Sequence, residues 1–163
     1  MNQSGDIILT RNTDEVGNDS PGYWNHAAIS AGAYIIEAQA EPDKVIAVEM
    51  SVFRLRYPEF MVFRYKDMNV AYEAALAANK LLNKPYRKLA SVFMRWRRKD
   101  LGENCVSVVR KSWSKALKQD MGWRRPDHVL TTVNIQEPPG FRIIEHHKDY
   151  ENWLPQPTLG RIN

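Results

Sequence analysis

Apolar and polar positions alternate in short blocks through the first 65 residues, then give way to longer helical periods. Tyr23-Trp24-Asn25-His26-Ala27-Ala28-Ile29-Ser30 reads as a strand. Tyr34-Ile35-Ile36-Glu37-Ala38-Gln39 reads as a second, rich in β-branched and aromatic residues. Ser30-Ala31-Gly32-Ala33 joins them, and Gly32 can supply a positive φ, so the pair predicts a hairpin. Residues 6–11 predict an earlier strand, 44–49 and 60–65 two later ones parted by Tyr57-Pro58, and 141–145 a last one.

Helical spacing takes over at residues 70–82, which are Ala-rich and amphipathic, and again at 89–98. A third helix is expected from Cys105 to about Lys118, with Asn104 as N-cap and Val106, Val109, Trp113 and Leu117 as its apolar stripe. Residues 12–22 are polar, with Gly17, Pro21 and Gly22. They predict a loop beside the His26 strand, either a wall of the site or a surface excursion. Strands first and helices after indicate an α+β fold. No repeat or linker divides the 163 residues, so one domain spanning 1–163 is expected.

The hairpin carries the first chemistry. With the turn centred on Ala31 and Gly32, Ser30 faces Ala33 and His26 faces Glu37. Opposed residues share a side of the sheet with Cβ atoms ~4.5–5.5 Å apart. A carboxylate there holds an imidazole in one tautomer and favours its charged form. An ordinary cross-strand pair is the plain alternative. Glu37, however, lies in an otherwise apolar run, and a carboxylate in such a run needs a partner.

Cys105 carries the second. In the first turn of a helix, unpaired backbone N–H groups and the helix dipole stabilise a thiolate and can receive an oxyanion. The alternative is a small buried hydrophobe, the usual fate of a lone cysteine. A thiol, an imidazole and a carboxylate together are what a cysteine hydrolase needs, and this favours the nucleophile.

Composition narrows the setting. Hydrophobic content of 44% and charged content of 26% are ordinary for a globular protein. One cysteine rules out an intramolecular disulfide and fits a reducing compartment. The first residues show neither a basic segment nor an apolar leader, and no run approaches a membrane span, so a cytoplasmic protein is expected. A phage or viral origin is compatible with this. The net charge of +4 gathers in Arg95-Trp96-Arg97-Arg98-Lys99 and Arg124-Arg125. A solvated helix face explains that run better than nucleic acid, because no nucleic-acid motif accompanies it. His146-His147, near Glu145 and Asp149, chelates poorly, since neighbours on a strand face opposite ways, and His128 reads as structural. No metal or organic cofactor is expected, and no phosphate-binding glycine loop is present.

Gly5-Asp6-Ile7-Ile8-Leu9, Asn25-His26-Ala27-Ala28-Ile29 and Ile36-Glu37-Ala38 resemble the opening of the permuted NlpC-type papain-like hydrolases, nearest the YiiX/YaeF-like subgroup. Asn83-Lys84-Pro85-Tyr86 resembles that group's Gly-x-Pro-Tyr turn. Asn104-Cys105-Val106-Ser107-Val108-Val109 resembles its cysteine helix, and Arg125-Pro126-Asp127-His128-Val129-Leu130 its Pro-Asp-x-Leu segment. The ordered motifs span about four fifths of the chain. The resemblance implies an antiparallel sheet packed against a cysteine-bearing helix, with Cys105 brought over the His26–Glu37 face. It implies Cys105 as nucleophile, His26 as base and Glu37 orienting His26. Tyr86 and Asn104 are expected at the substrate. The implied substrates are small peptides, cell-wall-type peptides or acyl-lipids, cleaved at an amide or ester through an acyl-thioester. Acyl transfer on the same scaffold, or a non-catalytic cleft binding an anionic partner, is the alternative. The chain departs from the pattern at Asn104, Val106 and Ser107 around the cysteine and at Arg87 after Tyr86, positions that line the pocket.

Overall fold

The computed structural model describes residues 3–11, 24–86, 103–124, 126 and 140–146. Expectations for the loop at 12–22, Tyr23, the helix at 89–98 with its basic run, Arg125, Asp127, His128, His147 and Asp149 lie outside the described residues. The described elements are β1 (Ile7–Arg11), β2 (His26–Ala31), β3 (Tyr34–Gln39), β4 (Lys44–Glu49), α1 (Met50–Arg56), β5 (Glu59–Tyr65), α2 (Met68–Asn79), α3 (Cys105–Leu117) and β6 (Phe141–His146). The strands form one antiparallel sheet in the order β4-β3-β2-β1-β5-β6, and the architecture is α+β.

β1 to β3 are apolar at consecutive positions because both sheet faces are covered. Side-chain alternation sends Ile7, Leu9, Ala27, Ile29, Ile36 and Ala38 to the face beneath α2 and α3. It sends Ile8, Ala28, Ile35 and Val62 to the other face, where Phe53 and Tyr57 from α1 and its end close a smaller cluster. Helix α1 was not expected. Seven residues between two strands are too few for a helical period to register.

Helix α2 starts where the Asp67 carboxylate accepts from the Asn69 and Val70 N–H groups. Its buried face is Ala71, Ala74, Ala75 and Ala78, small enough to bring its backbone close to its neighbours. Gly5 shows how close: at φ +88° its Cα faces the Ala71 backbone, with no room for a Cβ. Trp113 of α3 packs into an aromatic group with Tyr65 and Phe141, which Trp123 joins at its edge. Among the described residues, no helix is long and apolar enough to cross a membrane.

The hairpin register differs from the expectation. Ala31 pairs Tyr34, Ser30 pairs Ile35 and Ile29 pairs Ile36, so the turn is Gly32-Ala33. Gly32 takes φ +75° at the first turn position, where a two-residue hairpin loop selects glycine. Continued along β2, this register would set Glu37 opposite Ala28 rather than His26. A shift of two residues preserves the face, so His26 and Glu37 become diagonal neighbours on one side of the sheet.

Candidate active site

His26 opens β2, and its Nε2 lies 2.8 Å from Glu37 Oε2. Glu37 is fully buried. Its other oxygen, Oε1, accepts from Arg56 Nη1 at 2.9 Å. The Tyr57 ring stacks on the imidazole, centroids 5.2 Å apart and planes 18° apart. Gln39 Nε2 donates to the Tyr57 hydroxyl at 2.7 Å. The imidazole is thus held by a hydrogen bond at one edge and an aromatic face.

Cys105 opens α3 and is partly exposed. Its position follows from local chemistry. Asn104 Oδ1 accepts from the Ser107 N–H at 2.7 Å, and Ser107 Oγ accepts from the Asn104 N–H at 2.8 Å, closing a capping box. Ser107 Oγ also donates to Glu103 Oε2 at 2.7 Å, and Lys111 Nζ donates to Glu103 Oε1 at 2.6 Å. The Glu103 N–H donates to the Pro85 carbonyl at 2.7 Å. These bonds set where the helix begins, and so where the thiol points.

The thiol and the imidazole meet by an unexpected route. Helix α3 packs on β2 and β3 from the Ala27–Ile29 face, whereas His26 and Glu37 share the α1 face with Tyr57. Cys105 therefore does not lie over the His26–Glu37 face. The β2–β3 ladder stops at Ile29–Ile36, short of His26. Ser30 donates to Asp6 of the segment leading into β1, so by alternation the Ala27 N–H points toward β3, where no ladder bond receives it. There the groups that act on the thiol are the His26 ring and the Ala27 and Val106 backbones. With Nε2 on Glu37, the ring nitrogen left for sulfur is Nδ1.

The electrostatics follow from these contacts. Burial pushes the Cys105 thiol up, but the His26 hydrogen bond and charge, with the Ala27 and Val106 N–H groups, bring it below its ordinary value. Burial alone would lower His26. Its bonds to Cys105 and Glu37 outweigh that and hold it well above the usual imidazole range. Both shifts run toward a thiolate beside an imidazolium.

Of the residues expected at the site, Cys105, His26 and Glu37 come together. Asn104 spends its side-chain oxygen on the cap. Tyr86 donates its N–H to Asp43, bridges Glu103 through the backbone and packs against the core. Arg56, Tyr57, Gln39 and Glu103 were not anticipated. Only the buried charge of Glu37 hinted that a cation besides His26 was needed. An open groove of about 990 Å³ beside Gly32, Tyr34, Met50 and Arg54 does not include the thiol. Among the described residues, no three His, Cys, Asp or Glu side chains are grouped to hold a metal. In comparisons with known proteins, no family model, curated protein or solved structure matches this chain.

Proposed function

We propose that the protein is a cysteine hydrolase that cleaves an amide or ester through an acyl-thioester on Cys105, built on a permuted papain-like fold. The meeting of the Cys105 thiol with the His26–Glu37 pair carries this reading. The thiolate attacks the carbonyl carbon, forming the C–S bond and moving an electron pair to oxygen. The Cys105 N–H, the first-turn donor taken neither by the Asn104 cap nor by the sulfur, would receive that oxyanion. As the C–N or C–O bond breaks, imidazolium Nδ1 gives its proton to the leaving group. Neutral His26 then takes a proton from water as that water attacks the thioester. The C–S bond then breaks with its electron pair going to sulfur, which releases the acid and, with the proton now on His26, restores the ion pair. Glu37 holds the ring and stabilises its charged form. Small peptides, cell-wall-type peptides and acyl-lipids are the substrate classes proposed by resemblance.

Incubation with a generic activated ester tests this reading. The expected outcome is a mass increase of one acyl group on Cys105 and turnover abolished in Cys105→Ala. A non-catalytic cleft would leave the thiol reacting with electrophiles no faster than a free cysteine, and that result would overturn the proposal. Release of the acyl group to an added amine or alcohol in preference to water would mark a transferase.

A further inference from the structure

The buried carboxylate serves two cations, and the second takes no part in the proposed bond-making and bond-breaking steps. Glu37 accepts from His26 Nε2 at 2.8 Å on one oxygen and from Arg56 Nη1 at 2.9 Å on the other. Glu37 is fully buried, while the Arg56 side chain is 39% exposed. The guanidinium also lies over the Tyr57 ring at 5.9 Å, and that ring stacks on His26. Thiol, imidazole, carboxylate and guanidinium thus form one line across the sheet and onto the end of α1.

We infer that Arg56 is a positioning residue for the thiol, supplying the positive charge that lets the Cys105–His26–Glu37 group lose a proton and hold a thiolate. The charges decide it. With thiolate, imidazolium, carboxylate and guanidinium all formed, the line sums to zero. Without Arg56 the same state carries a net negative charge around the buried His26 and Glu37, and the group regains neutrality by keeping one more proton. Removing a nearby positive charge raises the pH at which that proton leaves.

Arg56 is the cation that the described residues place on Glu37 besides His26. On β3, Gln39 is uncharged and bonds Tyr57. On β1, Thr10 opposite His26 is uncharged; on β4, Ile46 opposite Glu37 is uncharged, and the cation on that face is Lys44, opposite Gln39 rather than Glu37. The Tyr57 phenol accepts from Gln39 beside His26. Next to Cys105, Asn104 and Val106 are uncharged. Glu103, two residues before it, is matched by Lys111.

The test rests on the thiol rather than on turnover, although the inference builds on the proposed hydrolase site. Alkylation of Cys105 by iodoacetamide is followed against pH in wild type, Arg56→Gln, Arg56→Lys and Arg54→Gln. Arg54 lies on the same helix but pairs with Glu145, so it controls for surface charge. Arg56→Gln is expected to move the profile up by about 0.5–1 pH unit, equal to about 3- to 10-fold slower alkylation below the wild-type midpoint. Arg56→Lys restores the wild-type profile within about 2-fold, and Arg54→Gln leaves it in place. A folded Arg56→Gln with the wild-type profile overturns the inference, as does an equal shift in Arg54→Gln. Arg56→Met, which keeps an unbranched stem against Tyr57, is the second variant if Arg56→Gln does not fold. If neither folds, Arg56 is a structural partner only, and the inference fails. Absent turnover with the shift intact would sink the hydrolase reading and leave this one standing.

Discussion

Glu37→Gln separates orientation from charge, and the geometry sets its size. The carboxylate accepts from two donors, one on each oxygen. An amide of the same shape has one oxygen. If that oxygen stays with Arg56, the amide NH2 faces His26 Nε2, which must become an acceptor. The ring proton then moves to Nδ1, against the thiol, and His26 cannot take the thiol proton. If the amide turns, its NH2 faces Arg56, which is exposed enough to swing into water. Either way the thiolate–imidazolium pair loses its counter-charge. Loss of the buried bond to a charged partner costs about 1.5–3 kcal/mol. The Arg56 arm is half in solvent and adds about 0.5 kcal/mol. Burying a neutral amide in place of a carboxylate returns part of this. The net expectation is about 1–3 kcal/mol of stability and about 100-fold in turnover, within the range for general acid–base contributions. Because the three groups act as a unit, Glu37→Gln adds almost nothing in a Cys105→Ala background. Urea unfolding measures the first quantity, and ester turnover per folded molecule the second. A variant that loses stability but keeps wild-type turnover would show that Glu37 is a structural partner and that its orienting role is wrong.

Three further outcomes follow from the same geometry. Cys105 is lowered and His26 raised, so the reactive pair is lost as pH falls through the Cys105 value and again as pH rises through the His26 value. Turnover against pH should be bell-shaped, and His26→Ala should move Cys105 alkylation to higher pH because burial remains while the imidazolium is gone; an unmoved alkylation profile would refute the pairing. Gly5→Ala should cost more than about 3 kcal/mol, since its Cβ would overlap the Ala71 backbone in a conformation that L side chains rarely adopt, and a thermal melt within a degree of wild type would contradict that packing.

Local chemistry was legible in the chain wherever neighbours in sequence are also neighbours in space. Strand β3 spans Tyr34–Gln39 and β4 spans Lys44–Glu49, as their apolar runs predict. Helix α3 starts at Cys105 because Asn104 caps it, and it ends at Leu117, where Lys118 turns left-handed at φ 54°. The shared face of His26 and Glu37 also followed from sequence, because alternation survives a register error of two. The register itself did not, since Ala31-Gly32 and Gly32-Ala33 are both plausible turns and only the pairing of whole strands selects between them. Two other features belong to the tertiary structure alone. At the end of the β2–β3 ladder a thiol from the α3 face comes under the influence of an imidazole on the α1 face. Arg56 reaches Glu37 because the chain between β4 and β5 folds into a short helix over that face. Both join residues far apart in the chain, and no spacing along a sequence encodes which buried charge a distant side chain will meet.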